Sequence, residues 1–238
     1  MPQVAIPGGA STPELNAHLA TPPVAAPPWP GVVVLHESFG LNDDIRQQAD
    51  RLAAAGYLAV AVDLYSAGGA IRCIRSVFGA LSRGAGAAFE DIDAVRRWLA
   101  EREDCTGRVG VIGFCMGGGF AILTAARGFD ASAPNYAHLP KDLDGALRGA
   151  CPMIASFGGK DRTLRGTAAK LEDGLRRAGV EHDVKEYPDA GHSFLNRHDL
   201  GPGGALLRVA GIGYHEPSAE DAWGRILRFF EGHLRIDD

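Results

Sequence analysis

The chain has 238 residues, a hydrophobic fraction of 46% and a net charge of −5. This length suits one domain with a sizeable core, and the hydrophobic fraction excludes a disordered chain. The 24 lysines and arginines are scattered rather than gathered into a basic stripe, so nucleic acid is not an expected partner.

No apolar run approaches the roughly 20 residues needed to cross a bilayer, and the first residues lack the charged start and apolar stretch of a signal peptide. We therefore expect a cytoplasmic protein that does not bind membranes. The four cysteines are too few and too widely spaced for a disulfide scaffold, and no C-x-x-C pair predicts zinc. Reduced thiols and no bound metal are the simplest interpretation.

Short β-type runs alternate with amphipathic helical stretches along the chain. Strands are predicted at residues 4–6, 15–19, 31–36, 58–63, 108–112, 152–157 and 183–187. Helices are predicted at residues 43–55, 88–102, 119–126, 164–178 and 219–234, with Asn42 or Asp43 capping the first. The alternation predicts one α/β domain over residues 1–238, with a mostly parallel central sheet, helices on both faces and a hairpin at its start.

The segment 201–217 is rich in glycine and interrupts this pattern shortly after His192. It is interpreted either as a rim or lid over a site, or as an ordinary surface insertion.

A cysteine occupies a turn between a predicted strand and a predicted helix, in Gly113-Phe114-Cys115-Met116-Gly117. This is the context of the G-x-S-x-G nucleophile elbow of α/β-hydrolases, with cysteine in place of serine. The helix N-terminus favours a thiolate at Cys115, and the backbone N–H of Met116 is the expected first oxyanion donor. The alternative is a buried structural cysteine, which is how we interpret the other three cysteines.

Two further residues follow later strands in the order that this fold uses, nucleophile, acid and then base. Asp161 follows the strand 152–157, and His192 follows the strand 183–187. We therefore predict that His192 is the base and that Asp161 fixes its tautomer. Asp189 is the rival acid, although its place in the histidine's own turn favours a role in ordering that loop.

Glu37 follows the strand 31–36, in a loop that is expected to face the elbow. The backbone N–H of Ser38 is the expected second oxyanion donor. We interpret Glu37 as a contact of the nucleophile or the substrate, and a solvated loop carboxylate is the alternative.

These motifs together resemble the dienelactone hydrolase (carboxymethylenebutenolidase) family. The matching segments are His36-Glu37-Ser38-Phe39-Gly40, Val62-Asp63-Leu64-Tyr65, Gly113-Phe114-Cys115-Met116-Gly117-Gly118, Gly159-Lys160-Asp161 and Gly191-His192-Ser193-Phe194. The resemblance implies a triad of Cys115, His192 and Asp161, and a Glu37 that helps to activate the cysteine when substrate binds. It also implies hydrolysis of dienelactone or other small esters without a metal or organic cofactor.

The resemblance is weaker at the substrate-binding arginines. Family enzymes that act on dienelactone hold its carboxylate with one arginine after the Asp-Leu-Tyr strand and another shortly after the histidine. Here the first region offers Arg72 and Arg75, and the second offers Arg197, one position later than the family arginine. These three are candidate substrate-binding residues, with helix-surface charges as the alternative.

The leading hypothesis is therefore a carboxylic ester hydrolase, acting as a monomer or homodimer on a small-molecule ester or lactone through a thioester intermediate. One alternative is a non-enzymatic ligand-binding or regulatory protein on the same scaffold, although all three triad members are present. Another is a thiol redox sensor, although no resolving cysteine lies near Cys115 in the sequence.

Overall fold

A computed structural model describes residues 3–23, 26–197 and 213–235. The strands in these ranges are β1 Gln3–Pro7, β2 Glu14–Ala20, β3 Trp29–Leu35, β4 Leu58–Val62, β5 Cys105–Phe114, β6 Ala131–Asn135, β7 Met153–Gly158 and β8 His182–Tyr187. The helices are α1 Asp43–Ala54, α2 Ala70–Arg83, α3 Ala87–Ala100, α4 Met116–Thr124, α5 Leu143–Leu147, α6 Thr167–Ala178 and α7 Glu216–Leu234.

The described strands form one sheet in the order β1-β2-β4-β3-β5-β6-β7-β8. β1 and β2 form the predicted antiparallel hairpin, and β2 also runs antiparallel to β4. All pairings from β4 through β3 to β8 are parallel. The predicted α/β architecture with a mostly parallel sheet is confirmed.

The centre of the sheet is buried on both faces. Every residue of β3 and of β4 is buried, as expected of continuous apolar runs that helices cover from both sides. The predicted apolar stripe of α3 is also buried and consists of Phe89, Ile92, Val95 and Leu99. Burying one such side chain contributes about 1.5–3 kcal/mol, so this stripe holds α3 against the neighbouring strand β5.

The sequence pattern does not predict α2, β6 or α5. β6 reads Ala-Ser-Ala-Pro-Asn and lacks a β-branched run, although all five of its residues are buried. α2 buries small or medium side chains, Cys73, Val77 and Ala80, and leaves Ile71 exposed, so its apolar residues do not mark one buried face. α5 has five residues, too few to show a helical period.

Three predicted helices begin three residues away from their predicted starts. α4 begins at Met116 rather than 119, because its glycines are helical despite their poor propensity. α6 begins at Thr167 rather than 164, after a 3₁₀ turn at Arg162–Leu164 and a left-handed Gly166 with φ of 74°. α7 begins at Glu216 rather than 219, with a proline in its first turn, where the missing N–H is not needed.

Residues 201–212 of the glycine-rich segment lie outside the described residues, so its interpretation as a rim or lid stays a prediction. Residues 216 and 217 of that segment belong to α7. Within the described part of the chain, no helix combines the length and apolar character needed to cross a bilayer.

Candidate active site

Four candidate residues lie just beyond the carboxyl ends of strands in one sheet. Cys115 directly follows β5, Asp161 follows β7 by three residues, His192 follows β8 by five and Glu37 follows β3 by two. Because these strands are parallel, their carboxyl ends lie at the same edge of the sheet. The topology therefore brings residues from four distant parts of the sequence into one region.

Cys115 sits in a strained backbone conformation between β5 and α4. Its φ of 52° and ψ of −110° are unusual for a residue with a side chain. Its N–H donates to the carbonyl of Asn135 at 3.1 Å, and its carbonyl accepts from the N–H of Gly119 at 3.2 Å. The surrounding backbone thus maintains the sharp turn that a nucleophile elbow requires.

Two glycines of the elbow have no room for a side chain. A Cβ on Gly113 would lie 2.0 Å from the carbonyl oxygen of Gly117, and a Cβ on Gly117 would lie 2.2 Å from that of Leu35. Both obstacles are backbone atoms, which cannot move without displacing β3 or α4. The elbow sequence is therefore dictated by close packing as well as by chemistry.

Replacing Gly117 with alanine is expected to lower the free energy of unfolding by about 3 kcal/mol or more, because the new methyl group overlaps the end of β3. Thermal unfolding followed by circular dichroism measures this. Gly232→Ala is the matched control, since a Cβ there meets nothing within 4 Å and alanine favours the exposed helix by about 1 kcal/mol. Equal melting temperatures for the two variants would contradict the packing argument.

The imidazole of His192 is held by a buried carboxylate. Its Nδ1 donates to Oδ2 of Asp161 at 2.6 Å. The other carboxylate oxygen, Oδ1, accepts from the backbone N–H of Thr163 at 2.9 Å and from its hydroxyl at 2.6 Å. With both oxygens engaged, Asp161 fixes the ring orientation and leaves Nε2 of His192 for the thiol of Cys115.

The pKa values of His192 and Asp161 are shifted in opposite directions. Burial lowers the pKa of His192, but hydrogen bonds to Asp161 and Cys115, and the charges of those groups, outweigh burial and raise the pKa to about 10. Burial raises the pKa of Asp161, but hydrogen bonds from His192 and Thr163 hold it below its ordinary value. At neutral pH His192 therefore carries a proton and lies between Asp161 and Cys115.

Glu37 is buried next to the histidine loop, with a relative exposure of 2%. Its Oε1 accepts a hydrogen bond from the hydroxyl of Ser193 at 2.7 Å. Ser193 follows His192 directly and has a positive φ of 59°. The carboxylate is thus fixed beside the histidine and is not a solvated loop residue.

A neutral histidine anchors the loop that carries Glu37 and Ser38. Nε2 of His36 accepts the N–H of Leu64 at 3.0 Å, so the proton is on Nδ1, which donates to the carbonyl of Glu37 at 2.5 Å. Burial lowers the pKa of His36 despite that hydrogen bond and the charge of Asp63, which keeps the ring neutral.

Tyr65 connects the two expected oxyanion segments. Its hydroxyl donates to the carbonyl of Ser38 at 3.1 Å and lies 3.7 Å from the sulfur of Met116. Burial, followed by the charge of Asp63, raises the pKa of Tyr65 to about 12, so its hydroxyl stays protonated. The backbone segments at Ser38 and Met116 are therefore close enough to share one side chain.

The remaining candidates lie at the surface. Arg72 and Arg75 are exposed on α2. The guanidinium of Arg197 lies 4.1 Å from the centre of the Tyr214 ring and donates to its hydroxyl at 2.8 Å. Asp189, the rival acid, is exposed and pairs with Lys160 at 3.4 Å instead of His192.

Several residues of this region are not identified by the sequence analysis. Ser193 and Tyr65 lie within recognised motifs, so the motifs could have drawn attention to them. Thr163 and Tyr136 carry no motif, and Tyr136 follows a strand that the sequence does not predict.

Among the described residues, no group of three His, Cys, Asp or Glu side chains could hold a metal ion. Cys73, Cys105 and Cys151 are buried free thiols, in agreement with their interpretation as packing residues.

Comparison with known proteins identifies the family. The model of the dienelactone hydrolase family matches residues 15–234. The chain belongs to the dienelactone hydrolase family. This member of the dienelactone hydrolase family is therefore a hydrolase, and it has the α/β-hydrolase fold.

Individual members agree with that assignment. A Yersinia pestis protein provisionally named carboxymethylenebutenolidase is 30% identical over 237 residues, covering 92% of this chain and 84% of the relative. The carboxymethylenebutenolidase of Pseudomonas putida is 30% identical over 190 residues, covering 74% of this chain and 80% of the relative. The crystal structure of a Klebsiella pneumoniae protein provisionally named dienelactone hydrolase superposes with a TM-score of 0.79 at 29% identity, covering 98% of each chain.

Proposed function

We propose that this member of the dienelactone hydrolase family cleaves small carboxylic esters or lactones with Cys115 as nucleophile, His192 as base and Asp161 as the acid that orients it. One observation carries the proposal. His192 is bonded through Nδ1 to the buried carboxylate of Asp161 and through its other side to Cys115, which stands on a strained elbow. A histidine fixed in this way has one ring nitrogen to spare, and that nitrogen serves the thiol.

In acylation, the Cys115 thiolate attacks the carbonyl carbon, and the carbon–sulfur bond forms as the carbonyl oxygen becomes an oxyanion. The backbone N–H groups of Met116 and Ser38 stabilise that charge, and Tyr65 holds their two segments together. When the carbon–oxygen bond breaks, the leaving alkoxide takes the proton from Nε2 of His192. The products of this step are a thioester on Cys115 and an alcohol, which stays attached when the substrate is a lactone.

In deacylation His192 accepts a proton instead of donating one. After acylation the His192 ring is neutral, because its Nε2 proton has left with the alkoxide. Nε2 then takes a proton from water as the water oxygen attacks the thioester carbon. Breaking of the carbon–sulfur bond releases the carboxylic acid and restores the thiolate and the imidazolium.

Glu37 is placed to contribute through the histidine loop. Its bond with Ser193 joins the loop after β3 to the loop after β8 on either side of the thiol. We assign Glu37 to the activation of Cys115 when substrate enters, as the family resemblance implies, and its bond with Ser193 places the carboxylate next to the loop of His192.

The acyl-enzyme gives a direct test. The wild-type protein is mixed with p-nitrophenyl acetate, quenched in acid within the first turnovers and examined by intact-mass spectrometry. The expected result is one added acetyl group, which maps to the peptide containing Cys115 and is removed by neutral hydroxylamine, as a thioester should be. An acetyl group on another residue, or steady turnover of a protein alkylated at Cys115, would remove the proposal.

The two arginines of α2, Arg72 and Arg75, are proposed to matter only for substrates that carry a carboxylate. α2 is linked to the expected oxyanion segment at Ser38 through Tyr65, whose carbonyl accepts from the Cys73 thiol at 3.6 Å and whose hydroxyl donates to the carbonyl of Ser38. We therefore expect Arg72→Ala and Arg75→Ala to raise KM for an aryl hemisuccinate about tenfold, the effect of losing one charge-assisted hydrogen bond.

KM for a neutral aryl butyrate should stay the same in both arginine variants. Arg197→Ala serves as the control, since its guanidinium is engaged by Tyr214. Equal KM changes for the charged and the neutral ester would show that the α2 arginines do not recognise a carboxylate.

A further inference from the structure

Tyr136 stands out among the residues around His192. It directly follows β6, its side chain is fully buried, and its backbone has a positive φ of 38°. A bulky side chain rarely adopts this conformation, which persists only where surrounding contacts enforce it. Here the N–H of Tyr136 donates to the carbonyl of Ser156 in β7 at 2.7 Å, which holds the strained backbone on the sheet.

The ring of Tyr136 lies between the elbow and the histidine loop. Its centre is 5.3 Å from that of the His192 ring, with the two planes inclined by 60°. It is 5.7 Å from the ring of Phe194 on one side and 6.3 Å from that of Phe114, next to the nucleophile, on the other. Any shift of this ring would therefore shift the imidazole.

The hydroxyl of Tyr136 begins a buried chain of hydrogen bonds. It donates to Oδ1 of Asn196, and the amide of Asn196 donates to Oδ2 of Asp44. Asp44 belongs to the first turn of α1, and its other oxygen accepts the backbone N–H of Arg197 at 2.7 Å. The chain thus ties the residues after His192 to a helix on one side and to Tyr136 on the other.

Burial and the charges around these hydrogen bonds keep the hydroxyl of Tyr136 protonated, so that it remains a hydrogen-bond donor. Burial raises the pKa of Tyr136 well above its ordinary value, with further contributions from Glu37, Asp44 and Cys115. The phenol therefore stays neutral over the whole working pH range, and its proton stays committed to Asn196.

We propose that Tyr136 is a positioning residue of the hydrolysis, which, tethered through Asn196 to Asp44, holds the His192 ring between Asp161 and Cys115. This inference rests on the proposed function, since it concerns the alignment of the base. The ring centres, 5.3 Å apart, also lie within the distance at which an aromatic ring attracts a cation such as the His192 imidazolium. Among the residues that the structure describes, the ionisable groups that face His192 are Asp161, Cys115 and Tyr136, with Glu37 one residue away through Ser193.

The kinetic test uses Tyr136→Phe, which keeps the ring and removes the tether. kcat for p-nitrophenyl acetate should fall about tenfold with KM unchanged, because a misaligned base slows chemistry without affecting ground-state binding. Asn196→Ala should have a similar effect, and the double variant should be no slower than the slower single variant, since both changes break one chain. Tyr57→Phe is the matched control, because it also removes a tyrosine hydroxyl, one that contacts the carbonyl of Leu227 in α7 at 3.4 Å and the side chain of Arg235 rather than the histidine loop.

A second measurement distinguishes a role of Tyr136 in positioning His192 from a role in stabilising the fold alone. NMR titration of the His192 imidazole should give a lower pKa in Tyr136→Phe than in the wild type, because a less constrained ring bonds less well to Asp161. Unchanged kcat and His192 pKa in a variant with a lower melting temperature would overturn the proposal. If alkylation of Cys115 left turnover intact, the proposed function would fail, while the NMR result would still test the positioning.

Discussion

Replacing Cys115 with alanine is expected to lower kcat/KM for a small aryl ester by at least about 10⁴-fold, with the melting temperature nearly unchanged. The side chain is only half-buried, so its loss leaves no large cavity. Removing the nucleophile of a triad leaves only the oxyanion donors and substrate binding, which give a small residual rate. Spectrophotometric release of p-nitrophenol measures the rate, and circular dichroism checks the fold.

Cys151→Ala is the matched control. Its thiol is buried and free, and Cys151 precedes β7, at the edge of the sheet opposite to the one that carries the candidate site. This variant should keep full activity, with a modest loss of stability from the lost packing. Comparable rates for Cys115→Ala and Cys151→Ala would mean that another group attacks the ester.

The second large effect is expected at Asp161, the proposed acid. Asp161→Asn should lower kcat about 10³- to 10⁴-fold, because an amide can no longer hold the proton of His192 on Nδ1 or stabilise the imidazolium. Asp189→Asn, the control, should be fully active because that carboxylate pairs with Lys160 at the surface. A loss of activity in Asp189→Asn with Asp161→Asn unaffected would reverse the two assignments.

The same substitution predicts a pH-dependent change in stability. The pKa of His192 is raised in the folded state to about 10, so its interaction with Asp161 contributes fully below the unfolded value of about 6.5 and is lost as the pH rises through 10. The pKa of Asp161 is lowered, so its contribution is present above about pH 4 and lost as the pH falls through its folded value.

The wild type should therefore exceed Asp161→Asn in unfolding free energy most clearly near pH 5–6, and the difference should shrink steadily toward pH 10. Urea titrations across that range measure the difference. A gap that widened with rising pH would contradict the direction of the His192 shift.

The central sheet and the elbow could be predicted because each has a local signature. β3 and β4 are continuous apolar runs, which indicate strands covered on both faces. The elbow motif combines a strand, a glycine-flanked cysteine and a helix within a short segment, and the contacts at Gly113 and Gly117 show why no other residue fits. Local pattern and local packing agree here.

Features that depend on distant contacts could not be read from the sequence. The order of elements favours Asp161 over Asp189 as the partner of His192, but the geometry of the bond and its support by Thr163 come only from the coordinates. Likewise β6 has a composition typical of loops, and it becomes a strand because β5 and β7 pair with it on either side. Tyr136 owes its position to that strand, so its contact with His192 was hidden as well.

The parallel topology also has a consequence for refolding. Glu37, Cys115, Asp161 and His192 meet only after β3 has paired with β5 and β7 with β8, pairings that close long loops. Such non-local contacts form late compared with helices and hairpins. Recovery of esterase activity after dilution from denaturant should therefore lag behind recovery of helical circular dichroism.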